Sequence, residues 1–380
     1  MRKSLIIFID SLPYYKIGDS YLSRLGKVLP LTPGIGYSLN IYPILFAGLT
    51  PDQLGVFNEW FPRNRSDEMG VLQEHLFRIL DCSRPLPLIS RIFHILYSKI
   101  MKQHNLGNIP FKYLRYFAAK SSMDIFFEKR IATIFNTYNL SIILSPAFNE
   151  GKGRNDFRAY EMALKEIRNS RNVFVMLGDL DNIAHTYGMN SSKYSNRIKE
   201  LDFMCEKLVQ EFRGINGNES EVIILSDHGM VEVKKYVHVD PEDLLGKASP
   251  DRYLYFIDAT FLRLWVRDRA LKERIEVYLS NLKCGNLLDK DARRKYGIEN
   301  PAFGDFLYLL DEGNVFFPDF MGGRHVKAMH GYLPELQSQK GIFIHLENDP
   351  KLDAIGALEA YHRIDSSLSS SALFKRGCGS

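Results

Sequence analysis

An Asp-His-Gly triplet at residues 227–229 closes the strongly apolar run 221–226. Asp227 and His228 are both natural ligands for zinc or a similar divalent ion. Alone, the triplet is equally well explained by an exposed loop with a helix cap. Four further segments change that. Apolar residues 4–9 end on Asp10, and the strand-like run 172–177 leads into Asp181 and His185. Met329-His330-Gly331 precedes another short apolar run, 341–344. Glycines at 34 and 36 break the chain ahead of Ser38, and the segment continues to Ala47-Gly-Leu-Thr-Pro-Asp-Gln-Leu-Gly55. Pro43 is tolerated there if a helix starts near Asn40. Ser38 then lies beside a helix N-terminus, where free amides favour an anion such as phosphate.

In this order the segments resemble the alkaline phosphatase superfamily, most closely its type I phosphodiesterase/nucleotide pyrophosphatase branch. Phe8-Ile-Asp10, Ser38 upstream of Ala47-Gly-Leu-Thr-Pro-Asp52, Asp181-Asn-Ile-Ala-His185, Asp227-His228-Gly229 and Met329-His330-Gly331-Tyr332 carry the resemblance across nearly the whole chain. It implies one metal held by Asp10, Asp227 and His228, and a second held by Asp181, His185 and His330. Ser38 would be the nucleophile. The chain departs from the family pattern in two places. Leu54 stands where the family has a non-ligand histidine, and Ser38 replaces the threonine common among nucleotide pyrophosphatases. Asn58 matches, with an offset of about one residue, the asparagine that binds a phosphoryl oxygen.

Phosphoesters resist attack because their anionic oxygens repel nucleophiles and the alkoxide leaves poorly. Two metal ions about 4 Å apart address both problems. Three protein ligands per ion leave positions open, the mark of a catalytic rather than a structural site. The resemblance implies a covalent phosphoserine at Ser38 that water then hydrolyses. Three carboxylates and three imidazoles suit zinc, and manganese fits the same donors. Sulfatase chemistry is excluded, because Ser38 is followed by Leu-Asn-Ile-Tyr without the required Pro and Arg. The arginine that grips a terminal phosphate in the monoesterase archetype is also missing locally, which favours a diester or pyrophosphate. Arg324 or Lys327 is the candidate to bind substrate from elsewhere. The alternatives are a phosphomonoesterase or phosphomutase acting on a sugar phosphate, and a non-catalytic binding protein that kept the fold. The expected substrate is a small-molecule, glycan or lipid-linked phosphoester.

These residues need a scaffold. Strand-like runs near 4–9, 141–145, 173–177 and 221–226 alternate with helical patterns near 156–169 and 190–213. That alternation predicts an α/β fold with a mostly parallel central sheet flanked by helices, ligands sitting at the carboxyl ends of its strands. The core is expected over 1–60, 137–250 and 326–365. A helical insertion is expected over 61–136, a small α+β cap over 251–325, and a disordered serine-rich tail over 366–380. Residues 87–102 combine apolar side chains with Arg91, Lys99 and Lys102; they either pack on the core or lie on a membrane surface.

Bulk properties narrow the class. The 380 residues can bury a large core, and 45% hydrophobic residues are ordinary for a globular protein. A net charge of +4 with no dense basic tract argues against a nucleic-acid-binding module. The four cysteines are widely spaced, so reduced thiols in a cytoplasmic protein are expected. The first apolar stretch ends at Asp10, too early for a signal peptide, and no run is long enough to span a membrane.

Overall fold

The computed structural model describes residues 3–63, 109, 116–119, 130–145, 156–169, 172–321, 325–345 and 352–373. The chain folds as two compact units, one of residues 1–54, 122–233 and 326–380, the other of 55–121 and 234–325.

The first unit is built on seven strands: β1 (Ser4–Ile9), β2 (Leu29–Thr32), β3 (Ser141–Leu144), β4 (Val173–Leu177), β5 (Glu221–Leu225), β6 (Gly341–His345) and β7 (Ile355–Gly356). They lie in the order β7-β2-β6-β5-β1-β4-β3. β1 pairs in parallel with both β4 and β5, and only β6 opposes its neighbours, so the sheet is largely parallel as expected. β1 reads as an unbroken apolar run because both sheet faces are covered. Leu5, Ile7 and Ile9 face one core and Ile6 and Phe8 the other. Helices α2 (Asp156–Arg168), α3 (Asp179–Tyr187) and α4 (Ser192–Asn216) contribute to the first core. Ala159, Ala163 and Ile167 recur at four-residue spacing, giving α2 the buried stripe that holds it there. Helices α1 (Ser38–Ala47) and α5 (Ala357–Leu373) cover the opposite face.

Two local expectations change. The helix carrying Ser38 begins at Ser38 itself, two residues before the expected Asn40, which leaves Pro43 inside α1. The serine-rich stretch from 366 is helical as far as Leu373 rather than disordered, because Ile364 and Leu368 continue the buried stripe begun by Ala360. The remaining residues, 374–380, lie outside the described set.

In the second unit, Tyr253–Ile257, Phe261–Val266, Gly285–Leu287 and Phe306–Leu310 form an antiparallel four-stranded sheet. Helices Lys272–Asn281 and Lys290–Tyr296 accompany it, giving α+β character. Trp60, Ile109 and Phe117 share its hydrophobic core, and strand Trp60–Pro62 pairs with Phe117–Ala119. Most of the expected helical insertion, including 87–102, lies outside the described residues. Among the described residues no helix is long and apolar enough to cross a membrane.

Phe174 anchors the α1 face. Its ring meets Phe135 edge-on at 4.9 Å and Phe46 at 5.5 Å, and stacks on Phe8 at 6.3 Å. Phe174→Ala should therefore cost about 3–5 kcal/mol, read as a lower urea midpoint at unchanged slope.

Candidate metal centre

Three adjacent strands deliver the three carboxylates. Asp10 follows β1, Asp227 is the second residue after β5, and Asp181 sits in the first turn of α3, which leaves β4. The parallel register places all three at the carboxyl edge of the sheet. Asp10 N–H donates to the Leu177 carbonyl at 2.9 Å, locking the ends of β1 and β4 together. Ser11 N–H donates to Asp227 Oδ1 at 3.3 Å, and Leu12 N–H to Ser226 Oγ at 2.7 Å, so the β1 and β5 exits are cross-tied.

The histidines arrive separately. His185 stands one turn beyond Asp181 on α3, so the two share a helix face. His330 is placed by a short ribbon in which Ala328–Met329 pairs with Val231–Glu232, just after the Asp-His-Gly turn. The ribbon is fastened to α3 where Lys327 N–H donates to the His185 carbonyl at 2.8 Å. Gly229 is required by packing, because a Cβ there would lie 2.0 Å from the Ser338 carbonyl oxygen.

These residues form two clusters, Asp10–Asp227–His228 and Asp181–His185–His330, in each of which one donor atom per residue lies within 4.8 Å of the others. His228 Nε2 is 3.3 Å from Asp227 Oδ2 and 3.6 Å from Asp10 Oδ1. Asp181 Oδ1 is 3.3 Å from His185 Nε2 and 3.8 Å from His330 Nε2. Bond lengths near 2.0–2.1 Å put the edge of a tetrahedral zinc site at about 3.3 Å, so the donor spacing fits. Asp10 Oδ1, Asp227 Oδ2 and Asp181 Oδ1 are also buried and accept no hydrogen bond. Unsatisfied buried oxygens facing one another are what a cation would satisfy.

Two imidazoles are oriented by their other nitrogen. His185 Nδ1 lies 2.8 Å from the Ala328 carbonyl, and His228 Nδ1 lies 2.8 Å from the Gly229 carbonyl. A carbonyl only accepts, so each ring is protonated at Nδ1 and carries its lone pair at Nε2. Ser38 Oγ, on the first residue of α1, lies 2.9 Å from His228 Nε2 and donates to it. His228 and His330 stack face to face at 3.8 Å, so the two clusters share a wall.

The electrostatics record the crowding. Burial, then the charges of Asp227 and Asp181, pushes the Asp10 carboxyl well above the usual carboxylate range. Burial also raises Asp227, against the pull of His228. For Asp181, burial pushes upward, but His185, His330 and His228 outweigh it and bring the group below its ordinary value. Burial and the facing His228 hold His330 well below the usual imidazole range. Burial opposes protonation of His185 too, yet Asp181 wins and its value rises.

The remaining candidates are not members of these clusters. Asn58 belongs to the second unit, where its amide donates to Asp258 at 2.9 Å. Lys327 is exposed, and Arg324 lies outside the described residues. Three contributors carry no sequence signal of their own. Tyr42, one turn after Ser38, donates to Asp10 Oδ2 at 3.4 Å. The true start of α1 puts it on the Ser38 face, a relation that a start near Asn40 conceals. Tyr37 meets His330 edge-on at 5.7 Å. Gln339 accepts at Oε1 from the amides of Gly331 and Tyr332, at 3.0 and 3.2 Å, and no motif announces it.

No curated protein matches the chain in sequence. In structure it is similar to murine ectonucleotide pyrophosphatase/phosphodiesterase 5, in an inactive form in complex with AMP, with a TM-score of 0.65 and 16% identity, covering 97% of this chain and 95% of that one. The human ectonucleotide pyrophosphatase/phosphodiesterase 5 gives 0.63 and 15%, with the same coverage. Phosphonoacetate hydrolase from Sinorhizobium meliloti, in complex with phosphonoacetate, gives 0.59 and 14%, covering 97% and 96%. Identities this low establish a shared fold. The model of the type I phosphodiesterase / nucleotide pyrophosphatase family matches residues 45–333, well over half of the chain. That span contains Asp181, His185, Asp227, His228 and His330, while Asp10 and Ser38 precede it. The chain therefore belongs to the type I phosphodiesterase / nucleotide pyrophosphatase family, phosphoester hydrolases of the alkaline phosphatase superfamily.

Proposed function

We propose that the protein is a two-metal phosphodiesterase or pyrophosphatase that works through a phosphoserine at Ser38. The observation that carries this is the Ser38 hydroxyl, 2.9 Å from His228 Nε2 at the head of α1, against one of two donor clusters. Asp10, Asp227 and His228 would hold one divalent ion, and Asp181, His185 and His330 the other. Zinc is the proposed metal, with manganese compatible with the same donors. Such ions would supply Lewis acidity, lowering the pKa of the Ser38 hydroxyl and offsetting charge on the phosphoryl and leaving oxygens.

Ser38, having lost its proton, forms a bond to phosphorus as the bond to the leaving oxygen breaks; water then cleaves the phosphoserine and restores the hydroxyl. The Asn40 amide donates to the Tyr37 carbonyl at 2.8 Å, whereas the Ser38 and Leu39 amides ahead of it have no acceptor one turn back in the helix and favour the phosphoryl anion. Tyr42 steadies Asp10 beside the nucleophile. Among the described residues, the charges bearing most strongly on Asp10, Asp181, Asp227, His185 and His330 come from carboxylates and imidazoles, with no lysine or arginine among them. A terminal phosphate dianion calls for such a cation, so this favours a diester or pyrophosphate over a monoester. AMP in the murine relative and phosphonoacetate in the bacterial one are in keeping with a small phosphorus-containing substrate. We place the protein in a reducing, cytoplasmic setting, where Cys205 and Cys284 stay free thiols.

Metal loading should depend on pH in a defined sense. The folded-state values of Asp10 and Asp227 lie above their unfolded ones, so in metal-free protein these groups favour the fold when protonated. That contribution is lost as pH rises through the folded values. In metal-free protein at pH 8, Asp227→Asn should raise the melting temperature, whereas it should cut the gain produced by added zinc. The zinc-induced gain in wild type should itself grow from pH 5 to pH 7.5, because ligands must be deprotonated. Differential scanning fluorimetry with and without chelator reads both effects.

The chemistry is tested with bis-p-nitrophenyl phosphate and p-nitrophenyl phosphate. Metal-loaded wild type should cleave the diester in preference. Ser38→Ala should lower the rate at least a thousandfold while retaining metal, and a chelator should abolish activity reversibly. Selective monoester cleavage, or full activity in Ser38→Ala, would overturn the proposal.

A further inference from the structure

α3 carries two donors of the second cluster, Asp181 and His185, one turn apart. Its N-cap is Gly178, which has no side chain to accept from the helix's leading amides. The acceptor comes from another helix. Asp156, the first residue of α2, takes the Gly178 N–H on Oδ1 at 2.9 Å and the Asp179 N–H at 3.3 Å on each oxygen. The tie is reciprocal, since Asp156 N–H donates to Asp179 Oδ2 at 3.5 Å. Each helix thus begins on the other's carboxylate.

Two buried carboxylates so close would repel each other without a counter-charge. Arg197 of α4 supplies one, with Nη1 3.9 Å from Asp156 Oδ2 and Nη2 3.5 Å from Asp179 Oδ2. Asp156 and Asp179 are both almost wholly buried, so little water is at hand to replace a lost partner. The arrangement lies at the exit of β4, two residues before Asp181. A helix advances 1.5 Å per residue, whereas a metal ligand must be placed to within about 0.2 Å. A small slip at the head of α3 would therefore displace both Asp181 and His185.

We infer that Asp156, supported by Arg197, is a positioning residue for the second metal site, acting through the N-terminus of α3. The inference rests on the two-metal reading proposed above. Isothermal titration of the chelated full-length protein with zinc, paired with metal analysis of the dialysed protein, tests it. Wild type should take up two equivalents. Asp156→Ala should bind the first at wild-type affinity, which certifies the fold, and the second roughly 10–100-fold more weakly. Asp156→Asn keeps an acceptor oxygen for the amides and should restore most of the second affinity. Should Asp156→Ala not fold, Arg197→Ala carries the same test, with second-site weakening expected. Unchanged second-site affinity in Asp156→Ala or, where it must substitute, in Arg197→Ala would overturn the positioning role alone. So would an Asp156→Asn as weak as the alanine variant. A wild type that binds no second equivalent would sink the two-metal reading and this role together.

Discussion

Mutual repulsion among buried carboxylates is the constraint on which the site depends. Three acids converge at one edge of a sheet, and two of them, Asp10 and Asp227, are buried from water and driven toward protonation by burial and by neighbouring carboxylates. Apolar packing at the strand ends does nothing to relieve that strain. The histidines do so in part, and unevenly: Asp181 is surrounded by three imidazoles, whereas Asp10 has its other carboxylate neighbours to contend with. Everything around the strand exits then reads as restraint. Backbone amides, a tyrosine and a serine hold the carboxylates in place against a force that would otherwise spread them.

The sheet makes this economical in covalent terms. β5, β1 and β4 are adjacent although together they span more than 200 positions of the chain. Parallel pairing brings their carboxyl ends to one edge, so three distant aspartates become neighbours without a long loop. His228 comes with its strand and His185 with the helix that follows β4. Only His330 needs a dedicated device, the ribbon 328–329 against 231–232.

Much of this is readable in the sequence because each clustered side chain follows a recognisable pattern. Continuous apolar runs at 4–9, 173–177 and 221–225 declare strands covered on both faces, and the acid that follows each stands out. β2 gives no such signal, since four residues including Pro30 make a weak strand pattern, and its pairing depends on β6 more than 300 residues away. The helical end of the chain is hidden by its serines: composition predicts disorder, but Ile364 and Leu368 are spaced to bury. Gln339 and the Asp156–Arg197 arrangement are unreadable for a different reason. Their meaning lies in backbone amides of other segments, and no residue pattern records which amides are left without an acceptor.

All seven residues proposed for chemistry, Ser38 and the six clustered side chains, belong to the first unit, although they come from each of its three separate stretches of chain. The second unit, interposed twice in the sequence, contributes none of them. The donors and the proposed nucleophile are thus encoded on one of the two units alone. A change confined to residues 55–121 or 234–325, in length or in composition, therefore replaces none of the seven.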